Sequence, residues 1–160
     1  MLNMPYFKQD TRYSCGAAAL QMTFYFYGKL ISEEELTKRL QIDKDRGTEH
    51  SQMIKVITDE GLYAYANNES SLEEADGFIK SDIPIIVNFI EPGENSGHYA
   101  VVIGIDENNI ILNDPWHGEK FKMNKDEFVE RWQSENGGHK RWLLAVSTEK
   151  FNLGKQYLAS

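Results

Sequence analysis

Ser14-Cys15-Gly16-Ala17-Ala18-Ala19-Leu20-Gln21-Met22-Thr23-Phe24-Tyr25-Phe26-Tyr27-Gly28 is apolar or small at nearly every position from Cys15 to Tyr27, Gln21 and Thr23 apart. A helix that is apolar around its whole circumference belongs in the interior. Ser14 suits the N-cap, with a hydroxyl able to accept a free backbone N–H of the first turn. Gly28 suits the C′ position that closes such a helix. The sequence thus predicts a buried helix whose first residue is a cysteine.

Outward from that helix, the first sixty residues read as helical. Ser32 and Glu35 form a capping-box pattern ahead of Leu36 and Leu40. Gly47-Thr48 leads into a third helix carrying Met53, Ile54 and Ile57, closed by Gly61. The second half changes character. Leu62 to Ala66 reads as a short strand, and Ser71 with Glu74 opens a helix through Ile79. Pro84 precedes the apolar run Ile85 to Ile90, a central strand. After the turn-rich loop 91–97, the segments Tyr99 to Ile105 and Ile110 to Asn113 give a hairpin signal. A strand over Lys120 to Met123, a helix over Lys125 to Trp132 and a strand over Trp142 to Ser147 follow. Helices first and antiparallel strands later predict an α+β fold, a helical part against a sheet. Residues 1–150 are expected to form one domain, with 151–160 as a tail.

The composition narrows the function. The chain has 160 residues, 41% of them hydrophobic and 26% charged, which is globular rather than disordered. Its net charge is −8, so nothing would neutralise a row of phosphates, and nucleic acid is not the expected partner. The longest apolar runs fall well short of the roughly 20 residues of a membrane span. The start, Met1 to Tyr6, has no basic segment followed by an apolar one, so no secretory signal is expected and a cytoplasmic location is. Cys15 is the one cysteine, which excludes an internal disulfide and any cysteine-rich zinc site. A lone thiol is best kept in a reducing compartment.

That thiol sits where a helix N-terminus carries partial positive charge and favours an anion. A nucleophilic thiol needs a base, and four histidines are available: His50, His98, His117 and His139. His98 opens a strand at the edge of a turn-rich loop, held rigidly yet able to face a cleft. His50 falls in a helical first turn and is expected to be solvated, and His139 follows Gly137-Gly138 in an expected flexible loop. Asp114 ends the hairpin's second strand and could accept the Nδ1 proton of His98. The hairpin tests this pairing. A two-residue loop, Glu107-Asn108, sets Val101 opposite Asp114 and sends His98 and Asp114 to opposite faces. A three-residue loop sets Val102 there, and the two share a face. The chemistry therefore requires an odd loop or a bulge. Gln9, six residues before Cys15, could join the Cys15 N–H in holding an oxyanion.

Gln9, Ser14-Cys15-Gly16-Ala17-Ala18-Ala19-Leu20 and Tyr27-Gly28 together resemble the opening of C39-type cysteine peptidases, the papain-like domains that process bacteriocin precursors, and most of all their stand-alone relatives. Gly47-Thr48, Gly61-Leu62, Pro84-Ile85-Ile86, Gly97-His98-Tyr99-Ala100-Val101-Val102 and Asn113-Asp114-Pro115 continue the resemblance in order. It implies a papain-like fold, Cys15 as nucleophile, His98 as base and then acid, Asp114 as orienter and Gln9 in the oxyanion hole. It also implies a peptide or protein substrate, a leader peptide among the candidates, and no cofactor or metal. The length leaves no room for the membrane and ATPase segments of transporter-linked members.

Three other readings fit the same residues. A peptide-binding module would grip a leader-like segment without cleaving it. An acyltransferase would pass the thioester to an amine. A zinc site would use Cys15, His98, Asp114 and His117. Of the remaining residues, Trp116 is placed to wall the cleft, and Trp132 and Trp142 to fill the core. Glu91 and Glu94 would present exposed carboxylates to a cationic substrate.

Overall fold

The computed structural model describes residues 1–152, so the expected tail, beyond its first two residues, lies outside the described residues. Helix α1 runs over Cys15–Phe26, α2 over Glu33–Arg39, α3 over His50–Asp59, α4 over Leu72–Lys80 and α5 over Lys125–Arg131. The strands are β1 (Tyr63–Asn67), β2 (Ile85–Ile90), β3 (Gly97–Ile105), β4 (Asn109–Asp114), β5 (Gly118–Asn124) and β6 (Leu143–Ser147). They form one sheet in the order β1-β6-β2-β3-β4-β5, antiparallel at every junction. This is the α+β arrangement read from the sequence.

Local chemistry accounts for the helix boundaries. The Ser32 and Ser71 hydroxyls accept the N–H groups of Glu35 and Glu74, at 3.1 and 3.0 Å. Gly28 takes φ +77° past the end of α1, a conformation glycine adopts without a Cβ penalty. Ser14 departs from expectation. Its Oγ accepts the Thr11 N–H at 3.0 Å and donates to the Thr11 carbonyl at 3.2 Å, so α1 has no side-chain cap. The tight 11–14 turn claims the hydroxyl before the helix can.

Helix α1 is buried along nine of its twelve positions and packs against β3. Ala17, Ala18 and Ala19 are fully buried, and their small side chains allow close approach. Gly16 is demanded by space: a Cβ there would stand 2.1 Å from Thr48 Oγ1. Strands β2, β3 and β6 are buried at almost every position, so both faces of the central sheet are covered. Phe24, Phe89, Phe128 and Trp132 are the largest fully buried side chains of this core.

The β3–β4 hairpin turns through two residues, Glu107 and Asn108, with Asp106 N–H donating to the Asn109 carbonyl at 2.9 Å. Left at that, the register would separate His98 from Asp114. A bulge corrects it. Ile105 pairs with Ile110 and Gly104 with Ile111, but Val102 pairs with Leu112 and Val101 with Asn113, so Ile103 is the extra residue. The shift puts Asp114 level with Ala100, on the face His98 uses. The carbonyl of the bulged Ile103 accepts the Leu2 N–H at 2.7 Å. From there the N-terminal segment runs along the hairpin. Asn113 Nδ2 donates to the Met4 and Pro5 carbonyls, Tyr6 Oη to the Asp114 carbonyl at 2.7 Å, and Gln9 N–H to the Pro115 carbonyl at 3.0 Å.

Candidate active site

Four side chains from distant parts of the chain converge. Cys15 opens α1, His98 is the second residue of β3, Asp114 ends β4, and Gln9 is delivered by the N-terminal strap. All four are buried. His98 Nε2 lies 2.6 Å from Asp114 Oδ1. The Cys15 thiol acts on the same ring. With Nε2 committed to Asp114, Nδ1 is the nitrogen left for the thiol. This reverses the orientation expected from sequence, where Asp114 was to take the Nδ1 proton. The tip of the ring carries Nε2 and reaches across to the neighbouring strand, whereas Nδ1 stays near the backbone of β3, against which α1 packs.

Burial alone would disfavour a charge on His98. The hydrogen bonds to Asp114 and Cys15, and the negative charge of both, outweigh it and push the pKa up to about 10. Phe89 meets the ring edge-on at 5.7 Å. Asp114 Oδ1 also accepts the N–H groups of Trp116 and His117, at 2.9 and 3.0 Å, so the carboxylate closes the turn that follows it. Its Oδ2 is buried with no hydrogen-bond partner among the described residues.

The Asp114–His117 turn is braced from outside. His117 Nε2 lies 2.9 Å from Glu91 Oε2, and the His117 ring stacks on Phe121. Glu91 is buried, not presented to solvent as the sequence suggested: it accepts the N–H groups of Gly93 and Glu94 and folds its own loop around itself. Against its burial, those N–H groups and His117 hold its pKa below the usual glutamate range. Glu94 is bound by Arg12 through two contacts of 2.8 and 2.9 Å. Both glutamates are therefore partnered within the protein.

Gln9 Nε2 donates to the Thr11 carbonyl at 2.6 Å, and its Oε1 has no partner among the described residues. The loop that carries it is anchored by Glu33, whose carboxylate accepts the Asp10 N–H. Burial first, then the neighbouring Asp10, pushes the pKa of Glu33 up to about 7. Gln9, Arg12, Glu94, His98 and Trp116 line a small cavity of about 40 Å³. Trp116 is 43% exposed at its rim, as expected of a cleft wall.

Among the described residues, no group of three or more His, Cys, Asp and Glu is placed to hold a metal ion. His117 is turned to Glu91, away from the zinc set proposed from sequence.

His50 overturns its expected solvated role. Its ring stacks on Trp142 at 3.7 Å and 10°, with His139 at 4.6 Å and Asn88 Nδ2 at 3.1 Å from Nε2. Burial, and then His139, push its pKa down to about 4. The segment before the helix gave no sign of this, because the partners come from β2 and from the residues that precede β6.

The profile of the Peptidase_C39 like family matches residues 1–139, and the chain belongs to that family. An uncharacterised protein of Methanothermobacter marburgensis is 31% identical over 125 residues, 76% of this chain and 78% of that protein. The transport/processing ATP-binding protein ComA of Streptococcus pneumoniae is 30% identical over 132 residues, 79% of this chain but 17% of that protein. The chain thus spans under a fifth of that longer relative. A double glycine motif protease from an AMS/PCAT transporter, solved in complex with the leader peptide, shares the papain-like α+β fold. It superimposes with a TM-score of 0.72 at 23% identity, covering 91% of each chain. No helix among the described residues is long and apolar enough to cross a membrane.

Proposed function

From its membership in the Peptidase_C39 like family, we propose that this chain is a cysteine peptidase, hydrolysing a peptide or amide bond through a thioester on Cys15, with residues 1–150 as the catalytic domain. The observation that carries the reading is His98, held between Asp114 at 2.6 Å and Cys15, with its pKa pushed up to about 10. A protonated His98 beside Cys15 forms a thiolate–imidazolium pair. The thiolate attacks the substrate carbonyl. The developing oxyanion takes hydrogen bonds from the Cys15 N–H and from the second hydrogen of Gln9 Nε2, the first being used on Thr11. The imidazolium gives its Nδ1 proton to the departing amine. The neutral ring then takes a proton from water, whose hydroxide cleaves the thioester, releases the carboxylic acid and returns the thiolate. Asp114 stays ionised throughout and stabilises each imidazolium.

The substrate is a peptide segment, and the leader peptide bound by the structural neighbour supports that class. A reducing compartment such as the cytoplasm suits a catalytic thiol without a second cysteine.

A peptide library separates this reading from a module that binds without turnover. The wild type should hydrolyse a subset of the library, and Cys15→Ala should lose the activity by a factor on the order of 10⁴ or more. Iodoacetamide should block the wild type near neutral pH, and His98→Ala should slow that alkylation. A wild-type thiol that reacts only in the range of an ordinary cysteine, with no hydrolysis of any peptide, overturns the proposal.

A further inference from the structure

We propose that the cavity reached past Tyr99 is a substrate subsite for a neutral amide side chain, glutamine or asparagine, with His50 as the reading group. The identity of the ligand as a peptide rests on the peptidase reading above. The cavity has a volume of about 530 Å³, and His50, Asn68, Asn88, Tyr99, His139 and Trp142 are among its lining residues. It lies next to the reacting thiol. The Tyr99 hydroxyl donates to the Thr48 carbonyl at 3.0 Å. Thr48, also part of the lining, presses its side chain against Gly16, one residue from Cys15.

The hydrogen bonds of His50 define what is missing. Asn88 Nδ2 stands 3.1 Å from His50 Nε2. An amide N–H can only donate, so Nε2 accepts and the ring proton resides on Nδ1. Nδ1 is buried and has no partner among the described residues. The ring is neutral at pH 7, its pKa being pushed down to about 4. The result is a fixed, uncharged N–H donor without an acceptor, a rare state for a buried group.

Three side-chain classes can be weighed against that donor. An aliphatic chain leaves it unpaired. A carboxylate would accept its proton, but no lysine or arginine lines the cavity and Glu49 does, so the anion would lose water without gaining a counter-charge. An amide offers a neutral carbonyl to Nδ1–H. Its NH₂ can reach Asn68 Oδ1, which spends one lone pair on His139 at 3.1 Å and keeps another. His139 is exposed and lies against the His50 ring, so it is the group an entering side chain displaces.

The test uses Cys15→Ala protein, which binds without turnover, on an array of peptides varied at each position among Gln, Asn, Leu and Glu. Wild-type hydrolysis is read on the same peptides. At one position, Gln or Asn should be retained at least ~10-fold better than Leu and Glu. Adding His50→Phe, which keeps the stack on Trp142 and loses the donor, should bring that ratio near one. His50→Asn, which places an amide N–H near the site of Nδ1, should restore part of it. A preference for Leu, a ratio that survives His50→Phe in a protein of unchanged melting temperature, or an array that retains no peptide overturns the subsite. Peptides that are bound with the amide preference but never cleaved by wild type overturn the peptidase reading and leave the subsite standing.

Discussion

His98 and His50 both lie against aromatic rings, His98 edge-on to Phe89 and His50 stacked on Trp142, yet they carry opposite charge states. Burial pushes each towards neutrality. His98 faces a carboxylate and a thiol and is held protonated, with its pKa pushed up to about 10. His50 faces an amide and another imidazole and is held neutral, with its pKa pushed down to about 4. The partner, not the depth, decides the outcome. His50 opens α3 just after Thr48, and Thr48 abuts Gly16 beside Cys15, so one small region contains a charged imidazole suited to moving protons and a neutral one suited to hydrogen bonding.

Giving each histidine the other's partner is the strongest way to break this contrast. Asp114→Asn offers His98 an amide, as Asn88 offers His50. Hydrolysis should fall by ~10²-fold or more, and alkylation of Cys15 at pH 7 should slow, because the charged partner of the imidazolium is gone. A variant that keeps wild-type rates would show that Asp114 only shapes the turn it closes.

Gly16→Ala attacks the wall between the two regions. A Cβ 2.1 Å from Thr48 Oγ1 forces Thr48 or α1 to move, and overpacking of this kind destabilises by roughly 1–3 kcal/mol. Denaturant unfolding measures it, and an unchanged midpoint would mean that Thr48 yields freely.

The pH dependence of stability separates the two histidines by sign. The raised pKa of His98 gives stability that is complete below the ordinary value of 6.5 and lost as pH rises through about 10. The lowered pKa of His50 works the other way: its contribution is complete above 6.5 and lost as pH falls through about 4. The melting temperature of wild type relative to His50→Phe should therefore be constant above pH 7 and fall as the pH drops from 6.5 towards 4. Glu33, which titrates near 7, is common to both proteins and cancels in the difference. The smallest effect is local. Asn88→Asp gives His50 a carboxylate partner, and NMR titration should find its imidazole pKa raised from about 4 towards or past 6.5, with little change in melting temperature.

The caps and closing residues were legible because they are local: Ser32 with Glu35, Ser71 with Glu74, and Gly28 each act within one turn of chain. Cys15, His98 and Asp114 were legible as candidates because each stands at the end of an element. Their meeting was legible only as a condition, that the hairpin must be odd or bulged, and Ile103 meets it. No local signal marks Ile103, since any residue of an apolar strand could have been the extra one. The strap over residues 2–9 was missed for a related reason: its N–H and C=O groups pair with the hairpin one at a time, without the alternation that announces a strand. His50 and Glu91 were misjudged because their burial is supplied by residues far away in sequence.

The bulge at Ile103 also makes the hairpin a matter of parity. The two-residue turn fixes Ile105 opposite Ile110, and the surplus residue then moves the register by one, so that Asp114 comes level with Ala100. Deleting Ile103 removes the surplus and keeps Val102 opposite Leu112, so a regular hairpin should still hold His98 and Asp114 on one face. Straightening the bulge with Ile103 retained would instead set Val101 opposite Asp114 and send the two side chains apart. The meeting of the two groups therefore depends on where one surplus residue is stored along β3, and a chain one residue shorter there would not need the storage.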